Sequence, residues 1–391
     1  MLLAGPRVAP GGATLLEFCA ADAPAVARLE AGTVVAIRSS IAGEAGACYR
    51  VMAGGRTGYV FAAGIVQADE YEAARREADT VALPGEIRSA VAQRAAGDSA
   101  AARALALLEA RQPRQALQMA EYALAREAAG DPGVLALAGM AAYQSDQPRK
   151  AYEYWKRSHA LRPDPRIAAL AARAAREAAN DTSAHVVHGG RFVLRYDQTS
   201  VPPAAAQVMI GVLDEEYARL DAALGCALGE QVAVIVQTPE RYRAASGAAE
   251  WSGGQYDGRI RVAAPAGPSV SPELRRVFAH EIVHACLARR GQFPAWFHEG
   301  MAQRWSGERL SGPQREAIRE KLRTGALPPL NELSASWAGL SSAQAGLAYA
   351  YALAAVEALY EARGEAHVRD LLRAPGRLSQ TAAGLAGLLA P

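Results

Sequence analysis

Apolar and polar positions change their period along the chain, and the changes mark out its segments. Up to residue 68 they fall in short strand-like runs, 14–18, 34–37, 48–52 and 57–61, separated by glycine-rich turns such as Gly54-Gly55-Arg56. That pattern predicts a small all-β domain over 1–68. A charged connector, 69–86, ends near Pro84-Gly85. From 87 to 180 the period is helical and it repeats: Gln112-Pro113-Arg114-Gln115-Ala116 returns as Gln147-Pro148-Arg149-Lys150-Ala151, an offset of 35. Each copy precedes an amphipathic helix, 116–126 and 151–161, which predicts stacked helix pairs. A plain spacer and a peptide-binding groove fit this pattern equally well. In either role the segment is expected to be dispensable for metal binding downstream.

Past the linker Asn180-Asp181-Thr182-Ser183, residues 181–391 mix both periods. A strand over 191–196 leads to a helix over 204–224, whose Val208, Val212, Leu213, Tyr217 and Leu220 share one face. A buried strand at 232–236 and a hairpin turn at 253–258 come next, the turn opening a strand at 259–262. Helices at 312–323, 347–363 and 367–372 follow, then a small apolar tail over 382–391. The whole chain therefore reads as a multidomain α+β protein.

Composition adds limits. A length of 391 residues suggests roughly two to four domains, and the 51% hydrophobic content is largely alanine, which favours helix. A net charge of +2 gives no general electrostatic case for nucleic acid or an anionic membrane. No apolar run reaches the length of a membrane span. Met1-Leu2-Leu3-Ala4-Gly5-Pro6-Arg7 lacks a charged leader with an adequate apolar stretch, so no signal peptide is expected. Cys19 and Cys48 are the candidates for a bridge, over 28 intervening residues, and a bridge there implies an oxidising, extracytoplasmic compartment. Without it the cytoplasm stays open. Cys226 and Cys286 lie far apart and read as ordinary buried thiols.

The chemistry concentrates in Phe278-Ala279-His280-Glu281-Ile282-Val283-His284. Leu274, Val277, Phe278, Ile282, Val283 and Leu287 recur at helical spacing, so the run is a buried helix. On it His280 and His284, at i and i+4, stand on one face where both imidazoles reach one ion. Glu281 stands where a base takes a proton from a water on that ion. Two core histidines beside a solvated glutamate is the plainer reading of these residues. The next segment, Phe293-Pro294-Ala295-Trp296-Phe297-His298-Glu299-Gly300-Met301-Ala302, shifts the balance. Glu299, fifteen residues past His284, allows a second helix to return across the first and supply a third ligand, leaving one position open. His298 is the rival ligand. Cys286, two residues past His284, falls off the ligand face.

Together His280, His284 and the Pro294, Trp296, Glu299, Gly300, Ala302 pattern resemble the gluzincin clan of metallopeptidases, and within it the bacterial peptidase MA-like domain, over about 186 to 385. The resemblance implies Zn2+ held by His280, His284 and Glu299, Glu281 as catalytic base, and a peptide or protein substrate. Many gluzincins carry Asp four residues after the ligand Glu; here Gln303 stands there, able to accept from an imidazole N–H but raising ligand basicity less. In such enzymes an edge strand beside the cleft holds extended substrate, and 259–262 is the candidate here. They also use a tyrosine or histidine to steady the oxyanion, which points to Tyr349 or Tyr351, either of which also fits a helix core.

Two further resemblances stand beside this one. Leu29-x-x-Gly32-Thr33-Val34-Val35, Cys48-Tyr49-Arg50-Val51 and Gly55-Arg56-Thr57-Gly58-Tyr59-Val60 resemble bacterial SH3-like domains. These small barrels bind cell-wall or peptide ligands. Tyr49 and Tyr59 fit either its core and rim or a ligand platform. The 35-residue unit resembles tetratricopeptide repeats. A degenerate peptidase scaffold that binds envelope or peptide partners is the alternative function, and the intact Glu281 argues against it.

Overall fold

The computed structural model describes residues 6–17, 20–43, 46–68, 81–94, 99–181, 185–248, 252–265, 269–324 and 342–378, with 267, 327, 330, 385 and 389. These residues form a mixed α+β protein with twelve helices and three small sheets.

The first strands are β1 (Arg7–Val8), β2 (Ala13–Leu16), β3 (Ala25–Leu29), β4 (Ala36–Gly43), β5 (Gly46–Ala53), β6 (Arg56–Phe61) and β7 (Ile65–Val66). An antiparallel sheet runs β3-β2-β6-β5-β4, and β1 pairs with β7. Leu15, Val51 and Val60 lie at its core, and Tyr49 is buried with them. Tyr59 is half-buried. The strand expected at 34–37 begins later and extends into β4, while β3 was not expected at all. Its mostly exposed Ala-Val-Ala-Arg-Leu carries no alternation and is held by pairing to β2. The expected Cys19–Cys48 bridge involves Cys19, which lies outside the described residues.

Six helices follow: α1 (Gly85–Arg94), α2 (Ala100–Glu109), α3 (Pro113–Arg126), α4 (Pro132–Gln144), α5 (Pro148–Leu161) and α6 (Pro165–Asn180). Proline opens the last four, where its missing N–H costs no helical bond. α4 is buried from Val134 to Gln144 and is the central rod. The 35-residue repeat has a concrete backbone basis in two matching turns. Arg111 (φ 56°) follows α2 and Asp146 (φ 63°) follows α4, both left-handed. The next residue then donates back into the helix, Gln112 N to Leu107 O at 2.8 Å and Gln147 N to Ala142 O at 2.9 Å.

The second sheet comprises β8 (His185–His188), β9 (Phe192–Tyr196), β10 (Val232–Gln237), β11 (Gly254–Tyr256) and β12 (Ile260–Ala263), in the order β11-β12-β10-β9-β8. β9, β10 and β12 are parallel, and the two outer strands antiparallel. Around it lie α7 (Pro203–Leu224), α8 (Pro239–Ser246), α9 (Pro272–Arg290), α10 (Ala295–Ser306), α11 (Gly312–Arg323) and α12 (Ser342–Arg373), the last broken at Gly364. β10 is buried at every position, and α7, α9, α10 and α12 share one core with it. No helix among the described residues is long and apolar enough to cross a membrane. The tail 382–391, except Leu385 and Leu389, lies outside the described residues.

Three expectations need correcting. The strand at 259–262 is not an edge: β11 takes that place and β12 is interior. Arg259 and Arg261 are fully buried because carboxylates meet them there. Arg259 pairs with Glu177 at 2.7 Å, Asp146 at 3.2 Å and Asp257 at 3.3 Å, with its guanidinium 3.8 Å from the centre of the Tyr143 ring. Arg261 pairs with Glu177, and Arg173 with Asp257 at 3.3 Å. Arg195 of β9 pairs with Asp146 at 2.7 Å and with Asp181. Second, this cluster is shared between α6, the α4–α5 turn and the second sheet, so the helical segment and the sheet bury their charges against one another rather than as separate units. Burial alone would raise the Glu177 carboxyl, but Arg259 and Arg261 override it and hold it at about 2. Third, Cys226 and Cys286 are not free thiols; they form a disulfide, with Cα atoms 4.4 Å apart. Gly225, left-handed at φ 64°, ends α7 and turns the chain back onto α9, a meeting that sequence separation conceals.

Candidate metal centre

Local signals fix α9 at both ends. Ser271 caps its first turn by accepting from Leu274 N at 3.1 Å, Pro272 opens it, and Arg289 and Arg290 lie in the last turn, where cations suit the helix dipole. Phe278, Ile282 and Val283 face the core, which leaves His280, His284 and Ala288, each half-buried, as one stripe along the other side. α10 crosses α9 and presents Glu299. On its other side α10 packs closely on α12 at Gly300, where any Cβ would strike Ala352 O and Val356.

His280 Nε2 and His284 Nε2 point at the same oxygen, Glu299 Oε2, at 3.3 and 3.5 Å. The three ligand atoms lie within 4.8 Å of one another. Burial would raise the Glu299 carboxyl, but His284 and His280 override it and hold it well below the usual range. Burial would likewise lower His280, yet Glu299 lifts it to about 9. Glu281 Oε2 is buried and without a hydrogen bond, so this carboxylate retains unused acceptor capacity beside the three converging groups. Two imidazoles and a carboxylate are a donor set that suits zinc among other divalent ions.

Glu281 is 3% exposed and lies against β11; a Cβ on Gly254 would come within 2.5 Å of its Oε1. Burial pushes this carboxyl up, against the opposing pull of His284 and His280. Tyr349 and Tyr351 separate cleanly. Tyr351 is 1% exposed in the core, and burial alone raises it. Tyr349 is half-buried, and its hydroxyl is raised by burial and then by the Glu299 and Glu281 carboxylates.

Gln303 does not serve as an imidazole acceptor; its Nε2 donates to Glu299 O at 3.1 Å and Tyr349 O at 2.9 Å, tying α10 to α12. The neighbour of a ligand imidazole is instead His298, whose Nδ1 lies 3.5 Å from His284 Nδ1, behind the ligand face. Burial, then His284, hold His298 down at about 3, so it is a neutral ring able to accept from His284. In the sequence His298 stood out only as a rival ligand, since its contact with His284 depends on how α10 crosses α9.

Comparison of the chain with protein-family models, with curated proteins and with solved structures finds no match.

Proposed function

We propose that the protein is a zinc-dependent peptidase of the gluzincin kind, with His280, His284 and Glu299 as ligands, Glu281 as general base and Tyr349 as oxyanion donor. The observation that carries this reading is the convergence of three ligand atoms within 4.8 Å beside a buried carboxylate with an unused oxygen. Zinc, when bound there, supplies Lewis acidity to a water and to a carbonyl. Glu281, its carboxyl raised by burial, takes the water's proton and later returns it to the leaving amine. Tyr349, kept protonated by burial and the two carboxylates, donates to the oxygen that gains charge. β11 is the sheet edge beside Glu281, and in antiparallel pairing alternate residues turn their N–H and C=O groups away from β12. An extended peptide added there runs past Glu281. The N-terminal sheet is read as an SH3-like barrel for a cell-wall or protein ligand, and α2 to α6 as tetratricopeptide-like.

The test is elemental analysis with a companion variant. Wild-type protein should carry about one zinc per chain, and Glu281→Gln should keep it while losing about 10²–10⁴-fold in peptide turnover. Zinc-loaded protein that cleaves nothing in a broad panel of unstructured peptides would favour a binding protein.

A further inference from the structure

The two repeat turns deliver opposite charges into the second half of the chain, and only one is neutralised. Asp146 lies between Arg195 and Arg259, 2.7 and 3.2 Å away. Arg111, at the equivalent position, uses only Nε, which donates to Ala288 O at 3.3 Å. Its two terminal amino groups meet no carboxylate among the described residues. Ala288 continues the stripe of His280 and His284, one helical turn past the second ligand. The guanidinium thus lies at the end of the histidine stripe, and its charge reaches Tyr256 on the edge strand. Arg289 and Arg290, by contrast, donate to Ala227 O and Leu224 O, so their charge is directed at the end of α7.

We infer that Arg111 binds a carboxylate of the substrate, making this a site for peptides with a negative group near the bond that is cut. The inference rests on the peptidase reading for its chemistry but not for its binding. Gly254 lies against Glu281 and Tyr256 is two residues further along β11, a step of about 7 Å in an extended strand. A peptide lying along that edge has its carboxylate roughly two residues from Glu281. The free chain terminus and an acidic side chain both offer this group, and a planar guanidinium with both amino groups available holds it in two-point contact.

The experiment uses the full chain and one peptide in four forms: free or amidated C-terminus, with Glu or Gln two residues inside it. Binding is read by fluorescence anisotropy alongside turnover, for wild type, Arg111→Gln and Arg111→Lys. Forms carrying a carboxylate should bind about 10- to 100-fold tighter than the fully amidated form. Arg111→Gln should abolish that margin and Arg111→Lys restore part of it, with zinc content and thermal midpoint unchanged. A margin confined to the free terminus identifies an end-recognising enzyme, and one confined to Glu an internal acidic preference. Either supports the inference. Equal binding of all four forms, no binding of any, or an equal loss for all in Arg111→Gln would overturn it. Carboxylate-dependent binding without turnover leaves the inference standing and removes the peptidase reading.

Discussion

Two groups of buried charge flank β11 and β12, and they are completed in different ways. On the helical side, Glu177 and Asp257 meet Arg173, Arg259 and Arg261, so each carboxylate has a guanidinium partner. On the α9 side, Glu281 keeps one buried oxygen without a hydrogen bond, and Glu299 meets the imidazoles of His280 and His284 rather than a guanidinium. Both groups shift their carboxyls strongly, so perturbation by itself does not mark a working site. The partners differ instead: a guanidinium keeps its proton at any working pH, whereas an imidazole sheds one and can then hold a metal ion.

The largest effects should come from breaking the α9 side. His280→Ala and Glu299→Gln should lower zinc content and activity together, whereas wild-type zinc in His280→Ala would remove the ligand assignment. Zinc uptake should also weaken as pH falls, because an imidazole must shed its proton to bind. Breaking the other group should cost folding instead. Glu177→Ala strands Arg259 and Arg261 and should destabilise by about 3–5 kcal/mol in denaturant titration, with zinc stoichiometry unchanged in the folded protein. A fragment beginning at 185 should fail for the same reason. The Glu177 carboxyl is depressed from 4.5 to about 2, so its contribution is complete above pH 4.5 and disappears as pH falls through 2. Glu177→Gln should accordingly flatten stability over that window. The smallest effect belongs to His298→Ala, which removes no ligand but should weaken zinc by about 10- to 100-fold in chelator competition.

Sequence reading succeeded where the determining interactions are local. The i, i+4 spacing of His280 and His284 lies within one helix, and the repeated Gln-Pro turns follow from helix-end chemistry. Helices α3 and α5 accordingly fall within a few residues of expectation. Failures occurred where the answer depends on which distant segments meet. Nothing within 259–262 announces that Glu177 and Asp146 will cover its arginines, and nothing in Cys226 announces Cys286. β8 and β3 are strands by pairing rather than by pattern.

The Cys226–Cys286 bond, with a sequence separation of 60, closes a ring that contains β10, β11, β12, Glu281, His280 and His284. Closing a ring of that size removes conformational freedom from the unfolded chain worth about 4 kcal/mol. On the proposed metal reading two clocks govern the protein: thiol oxidation sets the framework once, during folding, and metal loading is reversible within it. On that reading, protein stripped by a chelator should refill as fast as zinc arrives, whereas reduction, which releases the end of α7 from α9, should weaken that refilling.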